Sequence, residues 1–167
     1  MQFNKMNASR LIEAAARYMI AASLVLAYHT IAAQSKSFAW PEGTQAAISL
    51  TFDDGRASQT KEGLDLLNEF NTKATFYVVP SAVEQQLEGW RKVVKTGHEI
   101  GNHSLKHPCT GNFAWSRSKA LEDYTLEQMK AELSEANQRI QQLLGVTPKS
   151  FAYPCGQKFV GRGKETQ

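Results

Sequence analysis

Residues 46–79 read AAISLTFDDGRASQTKEGLDLLNEFNTKATFYVV, and the fold class follows from their periodicity. Apolar side chains alternate over residues 46–52, which predicts a strand, and residues 74–79 form a second, β-branched and aromatic strand. Between them, residues 58–71 place apolar side chains at helical spacing. A strand, a helix and a strand in this order predict a parallel crossover unit.

The same alternation continues along the chain. Further helices and strands are predicted at residues 81–95, 98–101, 125–144 and 150–153. Thr125 and Gln128 have the spacing of a capping box, and Gly145 is placed to end the helix that they begin. Residues 111–118 are the one notable loop-like insertion. Repeated strand and helix units predict an α/β fold, built either as an open doubly wound sheet or as a barrel.

Length and composition limit the classes of protein that fit. The 167 residues are enough for one domain or most of one, and 42% apolar residues predict a packed core. The net charge of +3 is not clustered, so no nucleic-acid partner is expected. The glycines form no phosphate-binding loop, so no nucleotide cofactor is expected. The chain has four predicted strands, whereas a complete (β/α) barrel has eight. If the fold is a barrel, we therefore expect it to be incomplete.

The first 33 residues have the pattern of a secretory signal peptide. Basic residues precede an apolar run at 18–28, and small residues follow it near Ala33. The expected location is therefore periplasmic, extracellular or cell-envelope. The run is shorter than the roughly 20 residues that span a bilayer, which favours a cleaved signal peptide. The alternative is an uncleaved anchor, and contact with a membrane is expected only in that case. Residues 34–45 are interpreted as a short linker and residues 46–167 as the folded domain.

The chain has two cysteines, Cys109 and Cys155. Two cysteines cannot form the disulfide framework of a small secreted protein, so the stability of the fold must come from its core. A disulfide between them and two free thiols are equally compatible with the sequence.

Chemically distinctive residues follow the first and third predicted strands. Ligands bind at the carboxyl ends of the strands in both α/β architectures. Asp53 and Asp54 follow the first strand and precede Gly55, a pattern that is also common in ordinary turns. The functional interpretation is that Asp54 binds a cation while Asp53 stays ionised and accepts a proton.

His103 and His107 follow the third predicted strand and are four residues apart. On one helical turn this spacing places both imidazoles within reach of one metal ion, whereas a solvated pair is the simpler interpretation. Two histidines and one carboxylate form a catalytic zinc set, with Asp54 as the third ligand. His98 is interpreted as a core or surface residue, and no role is assigned to it.

Three motifs together resemble a known family. TFDDG at 51–55, HSLKH at 103–107 and FAYPCG at 151–156 resemble, in this order, the first three motifs of the NodB-homology polysaccharide deacetylases. The similarity runs from about residue 46 to residue 156. The resemblance implies a partial irregular (β/α) barrel that lacks its C-terminal strands. It also implies one divalent metal, with Zn²⁺ expected, and hydrolysis of acetyl groups from N-acetylated, or in some members O-acetylated, polysaccharides or oligosaccharides.

The resemblance also implies roles for individual residues. Asp54, His103 and His107 correspond to the metal ligands and Asp53 to the general base. Cys155 would supply a backbone N–H that binds the oxyanion, a role that does not depend on its side chain.

Two departures from the family pattern affect the expected activity. Ala152 replaces the arginine that commonly opens the third motif and orients the base; Arg162 is the candidate substitute. The family's general-acid histidine lies further along, and no histidine follows His107 here. The alternative to an active deacetylase is therefore a truncated, catalytically inactive remnant that binds metal or glycan. A third interpretation is an exported α/β domain whose histidines never meet.

Overall fold

The computed structural model describes residues 42–162. The second of two compact units begins at Ile48 and contains every helix and strand described below. Its centre is a parallel sheet of three strands in sequence order: β1 (Thr51–Phe52), β2 (Thr75–Val78) and β3 (Glu99–Asn102). The α/β class predicted from the alternation of strands and helices is confirmed.

Among the described residues, four α-helices and several short 3-10 turns connect and cover the strands. The helices are α1 (Glu62–Glu69), α2 (Pro80–Gln85), α3 (Leu87–Lys95) and α4 (Leu126–Leu144). The 3-10 turns lie at Ala57–Thr60, Ala114–Lys119, Leu121–Asp123 and Pro154–Gly156. Within residues 42–162, no helix has the length and apolar character needed to cross a membrane. The predicted signal peptide lies outside the described residues.

The register of the sheet brings the ends of its strands together. Phe52 pairs with Phe76, and Val78 pairs with Asn102. Parallel strands run in the same direction, so the residues after Phe52 and after Asn102 emerge at the same edge of the sheet. The two aspartates and the two histidines of the sequence motifs follow these positions.

Two strand predictions are wrong in extent. The sequence predicts β1 over residues 46–52, but only Thr51 and Phe52 pair. Because Thr51 already pairs with Thr75, the first residue of β2, the residues before Thr51 have no partner in β2. Ile48 is 88% exposed. The predicted fourth strand, 150–153, is reduced to one bridge between Asn102 and Phe151. Pro154 cannot donate to a ladder, and a 3-10 turn begins there instead.

Two helix predictions are each divided by one non-helical residue. Residues 58–71 form a 3-10 turn and α1, separated at Lys61 (φ −114°, ψ −108°). Residues 81–95 form α2 and α3, separated at Gln86 (φ −134°, ψ 39°). On α3, Trp90 and Val93 are fully buried, whereas Val94 is partly buried.

The core lies between the sheet and the helices. Phe76 of β2 meets Trp90 of α3 edge to face, with ring centres 5.6 Å apart. The buried apolar cluster consists of Leu64, Leu67, Ala74, Phe76, Val78, Val83, Trp90, Val93, Ile100, Ile140 and Leu144. The predicted capping box is confirmed, because Thr125 Oγ1 accepts from the Gln128 amide and Gln128 Oε1 from the Thr125 amide. Gly145 ends α4 in the left-handed conformation (φ 73°), as predicted.

Cys109 and Cys155 form a disulfide, with Cα atoms 6.0 Å apart. This decides between the two alternatives that the sequence left open. The bond joins the segment after His107 to the 3-10 turn at Pro154–Gly156. The second and third sequence motifs are thereby covalently linked.

Candidate metal centre

The turn after β1 carries the two aspartates. Asp54 (φ 74°) and Gly55 (φ 76°) both have left-handed backbone conformations, which reverse the chain sharply. A Cβ on Gly55 would lie 3.2 Å from the Cβ of Ala82, so both conformation and space favour glycine there. The side chain of Gln59 donates to the carbonyl of Asp53 at 2.7 Å and braces the turn.

The end of β3 is held by hydrogen bonds to α4. The Asn102 side-chain amide donates to the Leu133 carbonyl at 2.9 Å and to Asn137 Oδ1 at 2.8 Å. Its own Oδ1 accepts from the Ser104 amide at 2.6 Å. The His103 amide donates to the Val78 carbonyl at 3.1 Å. These bonds fix the point at which the first histidine leaves the sheet.

The prediction that His103 and His107 share a helical turn is wrong. Ser104 (φ 65°) and His107 (φ 52°) are left-handed, and such residues cannot continue a right-handed helix. The segment is instead a loop in which Ser104 Oγ accepts from the His107 amide at 3.0 Å. Glu132 Oε1 of α4 accepts from the Lys106 amide at 2.6 Å. This loop brings the two imidazole ring centres to 4.8 Å.

Asp54, His103 and His107 nevertheless converge as the motif pattern predicted. Asp54 Oδ1 lies 3.5 Å from His103 Nε2 and 3.4 Å from His107 Nε2. One ligand atom from each residue lies within 4.8 Å of the other two. Zinc ligand distances of about 2.0–2.1 Å give a tetrahedron with edges of roughly 3.4 Å, so these spacings suit a small divalent cation. The site is open on one side, because the Asp54 side chain is 37% exposed and that of His103 only 2%.

Hydrogen bonding and burial prepare both histidines for a cation. His103 Nδ1 lies 3.0 Å from the Ala152 carbonyl, which can only accept, so Nδ1 carries the proton and the Nε2 lone pair faces Asp54. Burial lowers the pKa of His107, and repulsion between the two imidazoles when both are protonated lowers it further, although Asp54 opposes both effects. A lowered pKa keeps the His107 imidazole neutral, the form that binds metals.

The partners of Arg56 and Arg162 show which of the two arginines reaches the site. Arg56 Nη2 contacts Asp54 Oδ2 at 2.9 Å, which leaves Oδ1 for the histidines. Asp53 directly precedes Asp54 in the chain and is exposed. Arg162, the candidate substitute for the family's arginine, instead binds Asp123 Oδ1 at 2.5 Å.

The disulfide lies directly behind His107. Cys109 Sγ is 3.7 Å from His107 Nδ1, the ring nitrogen that faces away from Asp54. Cys155 Sγ is within 4.8 Å of a His107 ring nitrogen, and the Cys155 backbone is left-handed (φ 56°). Because the two sulfurs are bonded to each other, they are not thiolate ligands. The third motif is thus placed beside the candidate centre.

Sequence reasoning missed Glu132, a buried carboxylate that supports the site. Its exposed fraction is 5%, and it starts the buried stripe of α4 at four-residue spacing, followed by Ala136 and Ile140. The sequence feature that could have identified it is an acidic residue at a helix position that faces the core. Tyr124 donates to Glu132 Oε2 at 3.4 Å, and burial, followed by the charge of Glu132, raises the pKa of Tyr124 to about 12.

Comparison with known proteins places the chain in a family. Residues 29–161 match the family model described as Polysaccharide deacetylase. The matched stretch covers most of the chain, and the chain is a member of the polysaccharide deacetylase family.

Relatives of this chain include deacetylases of chitin and peptidoglycan. Chitin deacetylase 1 of Cryptococcus neoformans is 36% identical over 107 residues, which are 64% of this chain and 20% of that protein. A peptidoglycan-N-acetylglucosamine deacetylase of Bacillus cereus is 37% identical over 84 residues, 50% of this chain and 38% of that protein. The chain thus spans well under half of either relative.

Solved structures confirm the similarity of fold. The structure of peptidoglycan deacetylase PdaC from Bacillus subtilis matches with a TM-score of 0.56 and 29% identity, over 73% of this chain and 54% of that one. The three-stranded α/β unit therefore corresponds to about half of that deacetylase structure.

Proposed function

We propose that this chain is a metal-dependent hydrolase that removes acetyl groups from N-acetylated sugar polymers. Asp54, His103 and His107 hold one divalent cation, with Zn²⁺ expected. The observation that supports this most strongly is the spacing of 3.4–3.5 Å between Asp54 Oδ1 and the two histidine Nε2 atoms.

The donor set suits the proposed cation. Two neutral imidazoles and one carboxylate are the ligands of many catalytic zinc sites, and they leave a position open. A divalent cation bound there supplies a Lewis acid, which lowers the pKa of water and polarises a carbonyl oxygen. The partial exposure of Asp54 and His107 gives a substrate access to that position.

Asp53 is the proposed general base. It lies between β1 and Asp54, so its exposed carboxylate belongs to the same strand end as the ligand set. It accepts a proton from the attacking water while the water oxygen bonds to the acetyl carbon. The C–N bond then breaks, the sugar nitrogen takes up the proton that Asp53 accepted, and the acetyl group leaves as acetic acid, which ionises in water. The backbone N–H of Cys155 is the proposed donor to the oxygen that becomes negative during the attack.

Acetate release from N-acetylglucosamine oligomers tests this function. The Asp53→Asn variant should lose about 10²- to 10⁴-fold in rate while it still binds zinc, because only the base has been removed. Asp65→Asn, an exposed aspartate on α1, is the matched control and should match the wild type. Acetate release that is unaffected by Asp53→Asn would exclude the proposed base.

Binding of metal and glycan without turnover is the second candidate function. It is favoured by Ala152, whose methyl group cannot orient Asp53 as the family's arginine does. The same experiment separates the two candidates: bound oligomer without acetate release, in a zinc-loaded chain, supports the second.

We further propose that the sheet is part of an irregular (β/α) barrel and that the chain is exported after cleavage of residues 1–33. The partial correspondence with a solved deacetylase supports the first proposal, and the apolar run at 18–28 supports the second. The amino-terminal sequence of the protein from its native source tests export: it should begin at Gln34, whereas an intact Met1 would support the uncleaved anchor.

A further inference from the structure

Two large aromatic side chains lie exposed beside the candidate metal centre. The rings of Phe113 and Trp115 are nearly parallel, with an interplanar angle of 13° and centres 5.6 Å apart. Their exposed fractions are 43% and 55%. The Trp115 ring centre is 6.0 Å from that of His107. A contiguous exposed aromatic pair at a reactive centre indicates a binding surface rather than core packing.

The backbone that carries this pair is fixed without any ligand. Ser116, between Trp115 and Arg117, is fully buried; its hydroxyl donates to the Cys109 carbonyl at 2.8 Å and accepts from the Cys109 amide at 3.0 Å. Cys109 is itself anchored by the disulfide. A surface held in place before binding loses little conformational entropy when a ligand arrives.

Lys119 supports the Trp115 ring from the same 3-10 turn. Its ammonium lies 5.6 Å from the centre of the ring and also donates to the Lys106 carbonyl in the histidine loop. The aromatic pair and the loop that carries His107 are therefore one connected unit. A ligand resting on the pair would have a defined position relative to the metal ligands.

The chemistry of the pair suits a sugar ring. The face of an aromatic ring carries partial negative charge, and the C–H bonds on one face of a pyranose carry partial positive charge, so the two faces attract when stacked. Flat aromatic surfaces select neither charge nor a single hydroxyl pattern. They suit the repeating rings of a polymer.

We propose that Phe113 and Trp115, which stack on each other, present one exposed aromatic face as a platform for a pyranose ring that neighbours the acetylated sugar at the metal centre. This inference rests on the proposed function and adds a subsite to it. The occupant is an oligomer of N-acetylated hexosamine, in which a ring next to the acetylated sugar rests on the platform.

Binding of the N-acetylglucosamine pentamer to the zinc-loaded full chain tests the platform. Calorimetry gives the Kd, and acetate release is followed in the same samples. Trp115→Ala should weaken binding about tenfold, whereas Trp115→Tyr, which keeps an aromatic face, should stay close to the wild type. Phe70→Ala is the matched control, because Phe70 is 68% exposed at the end of α1 and should have no effect.

The outcomes distinguish the platform from the function on which it rests. If the wild type binds the pentamer and Trp115→Ala binds it equally well, the platform is wrong and the proposed function stands. If the wild type neither binds the pentamer nor releases acetate, both are wrong. Loss of binding in Trp115→Ala with recovery in Trp115→Tyr supports the platform and excludes a folding defect as the cause.

Discussion

At the scale of single residues, Asp54 uses its two carboxylate oxygens for different partners. Oδ2 pairs with Arg56, and Oδ1 faces both histidines. Asp54→Asn removes the anionic ligand but keeps the shape of the side chain. We expect zinc affinity, measured by calorimetry, to fall by more than about 100-fold. Loss of a residue that only hydrogen-bonds to a metal ligand already lowers metal affinity about 10- to 100-fold.

The control for this variant is Asp65→Asn, which removes an equal charge from α1. It should bind zinc as the wild type does. Equal affinities for the wild type and Asp54→Asn would show that Asp54 is not a ligand.

His98 gives the fold a dependence on pH that is independent of the metal centre. It is buried beside Phe76, and its Nδ1 accepts from the Ala74 amide at 3.2 Å. Burial, followed by the charge of Lys73, lowers its pKa below the usual 6.5. As the pH falls below about 6.5, His98 therefore becomes protonated in the unfolded chain before it does so in the folded chain. Because the unfolded chain then binds more protons, the free energy of unfolding decreases as the pH falls.

His98→Asn keeps an acceptor for the Ala74 amide but cannot titrate. Denaturant unfolding between about pH 7 and pH 5 should show a shallower loss of stability in this variant than in the wild type. Parallel curves for the two proteins would contradict the assignment of a neutral buried His98.

At the scale of elements, helix α4 is a support for the histidine loop. Glu132 accepts from the Lys106 amide, and Asn137 accepts from Asn102 at the end of β3. Glu132→Leu leaves the Lys106 amide without its acceptor, which we expect to cost about 1–3 kcal/mol in the free energy of unfolding. Zinc affinity should fall about 10- to 100-fold.

Glu132→Gln is the matched variant, because its side-chain oxygen can still accept from the Lys106 amide. It should retain most of the stability and zinc affinity. The account of α4 would be contradicted by a Glu132→Leu variant that binds zinc as tightly as the wild type.

Local signals predicted some elements well and others poorly, for physical reasons. The capping box at Thr125 and the stop at Gly145 depend only on neighbouring residues, so both ends of α4 could be predicted. The loop between His103 and His107 depends on a hydrogen bond from Lys106 to Glu132, which is 26 residues away. Four-residue spacing alone therefore suggested a helical turn that does not form.

At the scale of the whole molecule, one disulfide ties the second motif to the third. Cys109 and Cys155 are 46 residues apart in sequence. Closing a loop of that length stabilises the folded chain by about 4 kcal/mol through the entropy of the unfolded state. The Cys109→Ser and Cys155→Ser double variant should lose about that amount in denaturant unfolding.

Zinc affinity should fall in the same double variant, because Cys109 Sγ supports His107 from behind. A phosphine reductant, which does not chelate zinc as a dithiol does, should reproduce both losses in the wild type and leave the double variant unchanged. Unaltered zinc affinity after full reduction would show that the disulfide does not position His107.

The order of strands and helices could be predicted for the whole domain, but the pairing between distant segments could not. Phe52 and Phe76 become neighbours only through the register of the sheet. Residues before Thr51 form no strand, because Thr51 already pairs with Thr75, the first residue of β2. The convergence of Asp54 with the histidines was predicted from the motifs. The bond between the cysteines could be decided only once their Cα atoms were placed 6.0 Å apart.

Titration of metal-free chain with Zn²⁺, while acetate release from the N-acetylglucosamine pentamer is followed, tests the central claim most directly. The account predicts a rate that rises in proportion to added zinc and levels off at one equivalent per chain. The His103→Asn variant should show no such rise. Acetate release that is independent of zinc, or no release by the zinc-saturated wild type, would contradict a metal-dependent deacetylase.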